Sequence, residues 1–287
     1  MVAVIVGGST WFAIKLQLYA ADPVLSVAYR FGIAAVILLT YCLWRGISLR
    51  FSLKHHTNIA LQGVFLFSIN YLLFYMSEEW LTSGLVAVVF SSVLFMNIIN
   101  EAWLLGTFPG PIVVIGGLVG MVGIGTVFWP EIIGLQGTRN TFIGLILAVL
   151  GTFSTSLGMI TSARNQSRGL PVIQTNALGM LYGAVLMVAL ALIFGRSFRV
   201  YPSASYIGSL LYLALFGSVV GFGAFLTLLG RIGPGRAAYA ALLVPVIALL
   251  ISWVFEGYEW NWFTALGVFL IVSGNVIALR PRREAVV

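Results

Sequence analysis

Cysteine occurs once in this chain, at Cys42, and histidine twice, side by side at His55 and His56. A single thiol excludes an intrachain disulfide and any metal site built from cysteines. The two histidines fall between apolar runs, so no serine–histidine pair and no histidine metal cluster can form inside those runs. Charge is the largest deficit: 8% of residues are charged, against about 25% in soluble domains. No Gly-x-x-x-x-Gly-Lys loop is present and no polar stretch is long enough for a nucleotide-binding domain, which argues against an ATP-driven pump in this chain.

Hydrophobicity takes the place of charge. Of 287 residues, 60% are hydrophobic and the mean hydropathy is +1.05, a composition that lipid solvates and water does not. Net charge is +7, but the basic residues are dispersed rather than gathered on a helix or interleaved with aromatics, so nucleic acid is not an expected partner; membrane lipid is. The chain opens on Met-Val-Ala-Val-Ile-Val, without a basic leader region or an Ala-x-Ala cleavage pattern, and is read as starting in a first spanning helix.

Ten apolar runs are long enough to cross about 30 Å of hydrocarbon, near residues 2–19, 24–44, 58–76, 82–105, 111–129, 142–163, 172–194, 206–229, 236–255 and 262–279. The short connections make consecutive helices antiparallel neighbours. With the N-terminus in the cytoplasm, the inner loops and C-terminus hold Arg45, Arg50, Lys54, Arg164, Arg168, Arg231, Arg236, Arg280, Arg282 and Arg283. Only Arg139, Arg196 and Arg199 fall in outer loops. This asymmetry predicts that both termini are cytoplasmic. Asp22, Glu78, Glu79, Glu131, Glu256 and Glu259 are expected in the outer loops.

The chain also repeats itself. Gly84, Gly116 and Gly123 recur as Gly235, Gly267 and Gly274 at an offset of 151 residues, and Pro23 recurs as Pro171 at an offset of 148. Five helices per half is an odd number, so the second half enters the membrane from the opposite side. The expected fold is an all-α membrane protein of ten transmembrane helices in two inverted five-helix repeats, residues 1–130 and 140–280.

Polar residues inside such helices are the candidates for function. Trp11 lies mid-helix, one turn from Gly8 and from Lys15. Asn70, Tyr71 and Tyr75 share the third helix; Phe90, Ser91, Asn97, Asn100 and Glu101 lie on the fourth. Trp11, Tyr71, Tyr75, Phe90 and Tyr239 would suit an aromatic side chain, with Asn70, Ser91 or Asn97 bonding its polar end. Thr155 belongs to a strip of small residues (Gly144, Ala148, Gly151, Thr155, Gly158, Ser162), for which helix packing is the first reading and a cavity wall the second. Lys15 and Glu101 are candidate coupling or gating charges, although Lys15, like Arg30, can also reach the interface along its own stem. Gly235 and Pro245 are candidate hinge residues.

The chain resembles the drug/metabolite transporter superfamily, specifically its EamA-type exporters. The likeness rests on Trp11, Lys15, Pro23 and Arg30 in the opening helices and on Gly235, Ala238, Pro245-Val246, Glu256, Gly267 and Gly274 in the closing ones. Leu94 and Leu105 stand where symmetry with Pro245 and Glu256 would put a proline and an acid. Among members it looks most like bacterial exporters of aromatic amino acids. That resemblance implies export of aromatic and other hydrophobic amino acids. The reading is a bacterial inner-membrane exporter, with no covalent chemistry, no cofactor or metal and a monomeric state expected. A nucleotide-sugar or drug carrier, or a non-transporting scaffold or sensor, are the alternatives; sugar nucleotides would need several cavity cations, and only Lys15 and Arg30 offer themselves.

Overall fold

The computed structural model describes residues 2–18, 20–105, 110–130, 139–198, 203–232 and 244–278, and every regular element among them is helical. Six helices are long and apolar enough to cross a membrane: α2 (Pro23–Trp44), α3 (Leu53–Glu78), α4 (Ser83–Leu104), α6 (Arg139–Ser167), α7 (Val172–Ile193) and α8 (Ala204–Arg231). Three shorter apolar helices, α5 (Pro111–Val127), α9 (Val244–Phe255) and α10 (Trp262–Ala278), and the opening helix α1 (Val2–Lys15) complete the bundle.

On α5, burial runs opposite to that of a helix in a water-soluble bundle. On α5 the buried positions are Gly116, Gly117, Gly120, Gly123 and Val127, while Ile112, Val114, Ile115, Leu118, Met121 and Val122 are exposed. Large apolar groups lose nothing by facing lipid tails, whereas glycines let two backbones approach. The approach is closest against α10. A Cβ on Gly116 would stand 2.6 Å from the carbonyl oxygen of Gly274, and one on Gly123 would stand 2.8 Å from that of Gly267. The α3–α6 pair is built similarly. Gly144, Gly151 and Gly158 lie against Leu81, Phe74 and Leu66, so the strip of small residues on α6 packs helices.

Two helices are bent by serine. In α3, Ser68 leaves helical geometry (φ −142°, ψ −77°), and its hydroxyl donates to the carbonyls of Gly63 and Val64. In α4, Ser91 and Ser92 donate their hydroxyls to Val88 and Val89, and the Ser92 amide bonds the Val89 carbonyl three residues back, which tightens the turn. The middle of α8, Leu213–Phe222, is wound as a π-helix. Hydropathy carries no trace of these departures, and all three lie on helices that build the centre of the bundle.

A buried amide network ties α3, α6 and α7 together at one end. The Gln62 amide donates to Asn176 Oδ1 (3.2 Å), and the Asn165 amide donates to Gln62 Oε1 (2.9 Å). Gln62→Leu therefore strands partners on two helices at once. It should lower stability by about 2 kcal/mol, read as a fall in the unfolding midpoint of the detergent-solubilised protein; an unchanged midpoint would remove this network from the forces holding the bundle.

Candidate substrate site

The centre of the bundle is aromatic. Trp11 of α1 meets the edge of Phe74 of α3 (ring centroids 5.1 Å apart, planes at 84°) and also Phe90 of α4, again at 5.1 Å. Phe74 and Phe90 complete the triangle at 5.7 Å. Tyr71 continues the set at 6.1 Å from Phe74 and 5.0 Å from Phe31 of α2. Phe90 closes the last turn before the Ser91–Ser92 bend, and Tyr71 opens the first turn after the Ser68 break. The serines thus set the angles at which both rings enter. Trp11 is buried, while Phe90 and Tyr71 are half-buried.

Trp11, Tyr71 and Phe90, expected to share a site, do come together, and Phe74 joins them at the centre. Tyr75 stands apart: it is fully buried, and its hydroxyl donates to Gln17 Oε1 of the chain following α1 (2.8 Å). The Asn70 amide donates to Thr155 Oγ1 of α6 (3.2 Å), while Asn70 Oδ1 has no partner. Asn97 and Asn100 also turn to α6, toward Met159 Sδ (3.6 Å) and Ser156 Oγ (2.9 Å). Ser91 is half-buried and spends its proton on its own helix; Glu101 is half-buried. Pro245 is the second residue of α9 and buried. Tyr239 and Gly235 lie outside the described residues, as do Ala238 and Gly106.

Charge is buried at the opposite end from the Gln62 network, in a place that hydropathy assigns to loops. Glu78, expected in an outer loop, is instead the last residue of α3, has no exposed surface and, among the described residues, finds no donor for either carboxyl oxygen. Lys15 does not extend to an interface; its ammonium donates to the main-chain carbonyls of Glu78 and Leu81 (3.1 Å for the latter). Glu256, also expected in an outer loop, is half-buried and accepts from the Ser83 amide (3.0 Å), the Ser83 hydroxyl and the Ser252 hydroxyl (2.8 Å). The Ser252 oxygen in turn accepts from the Gly84 amide at 2.7 Å. The end of α9 thus caps the start of α4, with a carboxylate facing the positive pole of that helix.

Among the described residues Arg30, on α2, is the least exposed cation, at 1%. Its Nε donates to Ser218 Oγ in the π-helical stretch of α8 (3.0 Å), and its guanidinium lies 4.2 Å from the centroid of the Tyr71 ring. One nitrogen, Nη1, has no acceptor. In the sequence Arg30 stands two turns into an apolar run, where a long stem reaching back to the interface is the ordinary reading; in the structure the guanidinium turns inward instead. Separately, a cleft of about 590 Å³ opens between α2, α7 and α8, lined by Ile37, Tyr41, Ile173, Asn176, Val220 and Arg231 among others; the aromatic set is not part of its wall. Among the described residues no group of histidine, cysteine, aspartate and glutamate could hold a metal ion.

Comparison with known proteins agrees with this architecture. The EamA-like transporter family matches residues 1–129 and 142–280. The uncharacterized inner membrane transporter YedA of Escherichia coli K12 is 29% identical over 273 residues, covering 93% of this chain and 85% of that protein. Protein PagO of Salmonella typhimurium is 25% identical over 284 residues, 96% of this chain and 90% of PagO. A probable amino-acid metabolite efflux pump of Salmonella typhimurium is 40% identical, but over 80 residues, 27% of each chain. One protein of known crystal structure superimposes with a TM-score of 0.69 over 96% of both chains at 19% identity, a likeness of fold.

Proposed function

Because the chain belongs to the EamA-like transporter family, which makes it a membrane transporter and not an enzyme, we propose that it exports aromatic and other hydrophobic amino acids from the bacterial cytoplasm across the inner membrane. Export proceeds by alternating access around a central site between two inverted five-helix halves, residues 1–130 and 140–280, with both termini cytoplasmic. That orientation puts the Glu78 end of the bundle outside and the Gln62 end inside.

The observation that carries the substrate class is the triangle of Trp11, Phe74 and Phe90 with Tyr71 beside it. Rings from three helices meet at the centre, two of the pairs edge to face and the Trp11–Phe90 pair tilted, an arrangement another aromatic ring can join. The inner-membrane name of one relative and the amino-acid efflux name of another point the same way. Two features support the inverted halves. The family matches the chain twice. In addition, the 151-residue offset carries Gly116 onto Gly267 and Gly123 onto Gly274, so the contact of Gly116 with Gly274 is turned into the contact of Gly267 with Gly123. A contact that maps onto its own counterpart is what a two-fold axis lying in the membrane plane requires.

Proteoliposomes holding the purified protein should equilibrate labelled phenylalanine or tryptophan down its gradient faster than empty liposomes, and Trp11→Ala should cut the initial rate at least tenfold. Flux equal to that of empty vesicles from protein that remains monodisperse would refute the substrate class.

A further inference from the structure

The cleft of about 590 Å³ between α2, α7 and α8 has one long wall. Val220, Ala224, Thr227 with Leu228, and Arg231 follow one another at three- and four-residue steps, along a single face of α8. At about 1.5 Å per residue, Val220 lies about 16 Å from Arg231, the last residue of that helix. Facing this wall are Ile37 and Tyr41 in the last two turns of α2, and Ile173 and Asn176 in the first two turns of α7. Three helix ends therefore meet at the Arg231 end of the cleft. Asn176, which accepts from Gln62, marks it as the end that carries the buried amide network. Beside Gly223 the wall stands open, for a Cβ there would meet nothing within 4 Å.

The cleft lies on the lipid side of the bundle, since Ile37, Tyr41, Ile173 and Val220 are all exposed. Half of a hydrocarbon core about 30 Å thick is about 15 Å, so the long wall has the depth of one leaflet. Its inner part is apolar and its outer end carries a cation. Arg231 is exposed, makes no ion pair among the described residues, and shares the cleft with no aspartate or glutamate among them. We propose that the cleft is a binding site for an anionic phospholipid: Arg231 donates to the lipid phosphate at the membrane surface, and one acyl chain lies along α8, past Gly223, as far as Val220. Basic pockets between spanning helices hold anionic headgroups in this way. A soluble phosphate would leave the apolar wall unfilled, and a zwitterionic lipid would bring the chain without the net charge that the arginine selects. With both termini cytoplasmic, the lipid belongs to the cytoplasmic leaflet. The site follows from the cleft and does not depend on which substrate is carried.

The test is lipid retention by the purified full chain, read by native mass spectrometry after incubation with phosphatidylglycerol or phosphatidylcholine of identical acyl chains. The parent should retain one phosphatidylglycerol per chain, with roughly fivefold higher occupancy than phosphatidylcholine, the scale expected of one cation near the membrane surface. Arg231→Gln should abolish that preference. Arg164→Gln, which removes an exposed cation at the same end of the bundle but outside the cleft wall, should preserve it. Gly223→Phe fills the open space and should lower the occupancy of both lipids roughly tenfold, the loss of about two buried methylene groups; Ala224→Leu takes its place if that variant fails to stay monodisperse. Glycerol 3-phosphate should not displace the lipid. Equal retention of the two lipids by the parent, a preference that survives Arg231→Gln or is lost equally in Arg164→Gln, occupancy untouched by filling the cleft, or displacement by glycerol 3-phosphate would each overturn the proposal.

Discussion

Gly274→Ala should sharply lower the unfolding midpoint of the detergent-solubilised protein, whereas Gly125→Ala, the same change on a neighbouring helix, should raise it slightly. The new methyl group at 274 would lie 2.5 Å from the Gly116 carbonyl oxygen and 2.6 Å from the Gly120 amide nitrogen. Those are main-chain atoms and cannot turn aside as a flexible side chain would. The helices must separate, and they lose contact along the whole crossing, since lipid supplies no hydrophobic force to hold them together. Overpacking of this kind costs about 1–3 kcal/mol for one methyl group. At Gly125 nothing lies within 4 Å, and the only effect left is the gain of up to about 1 kcal/mol from replacing glycine inside a helix. Equal midpoints for the two variants would mean that α5 and α10 are not held by this contact.

Glu256→Ala should loosen the end of the bundle that carries Glu78. The carboxylate accepts from an amide and two hydroxyls, and through Ser252 it reaches a second amide, so α4 and α9 share one cap. Removing it strands donors at the positive pole of α4 and should cost about 3 kcal/mol, a charge-assisted hydrogen bond together with a helix cap. Local opening should follow. A cysteine placed at Ile14, now 1% exposed, should react with a membrane-impermeant maleimide several-fold faster in the Glu256→Ala background than in the parent. Glu256→Gln keeps the shape and should fall between them. Unchanged labelling in the alanine variant would show that the cap does not hold this end shut.

Much of this arrangement was legible before any coordinates. Apolar runs located the six long helices to within about five residues because spanning length is set by the bilayer. The recurrence of Gly116 and Gly123 as Gly267 and Gly274 flagged positions that turn out to touch one another, since glycine in a spanning helix is where a second backbone arrives. Trp11 and Tyr71 stand out in the sequence because polar-tipped aromatics are conspicuous among aliphatics, and Phe90 because it adjoins Ser91 on a helix that also carries Asn97, Asn100 and Glu101. Phe74 does not, because phenylalanine in an apolar run looks like any lipid-facing residue; only its place one turn beyond Tyr71 hints at the shared face. The charged end was misplaced for a different reason. Hydropathy finds the apolar stretch but not the depth of its last residue, so Glu78 reads as a loop acid when it is buried at the end of α3; Glu256 does lie just beyond α9, but that it caps α4 has no signal in the sequence. The bends at Ser68 and Ser91–Ser92 arise from hydroxyls bonding their own backbone, which leaves composition and periodicity unaltered.

The joint between α5 and α10 has a further consequence for how freely this chain can vary. At each of Gly116, Gly123, Gly267 and Gly274 a side chain would run into main-chain atoms of the facing helix, atoms that every residue possesses, so the fit depends first on the absence of side chains at these four glycines. The outward surfaces, Ile112, Ile115, Leu118 and Met121 on α5 with Phe269 and Val276 on α10, touch nothing whose outline they must copy. Any oily residue serves there, and substitutions can accumulate at those positions without moving the helices, which is one way an architecture persists between chains that share only 19% of their residues.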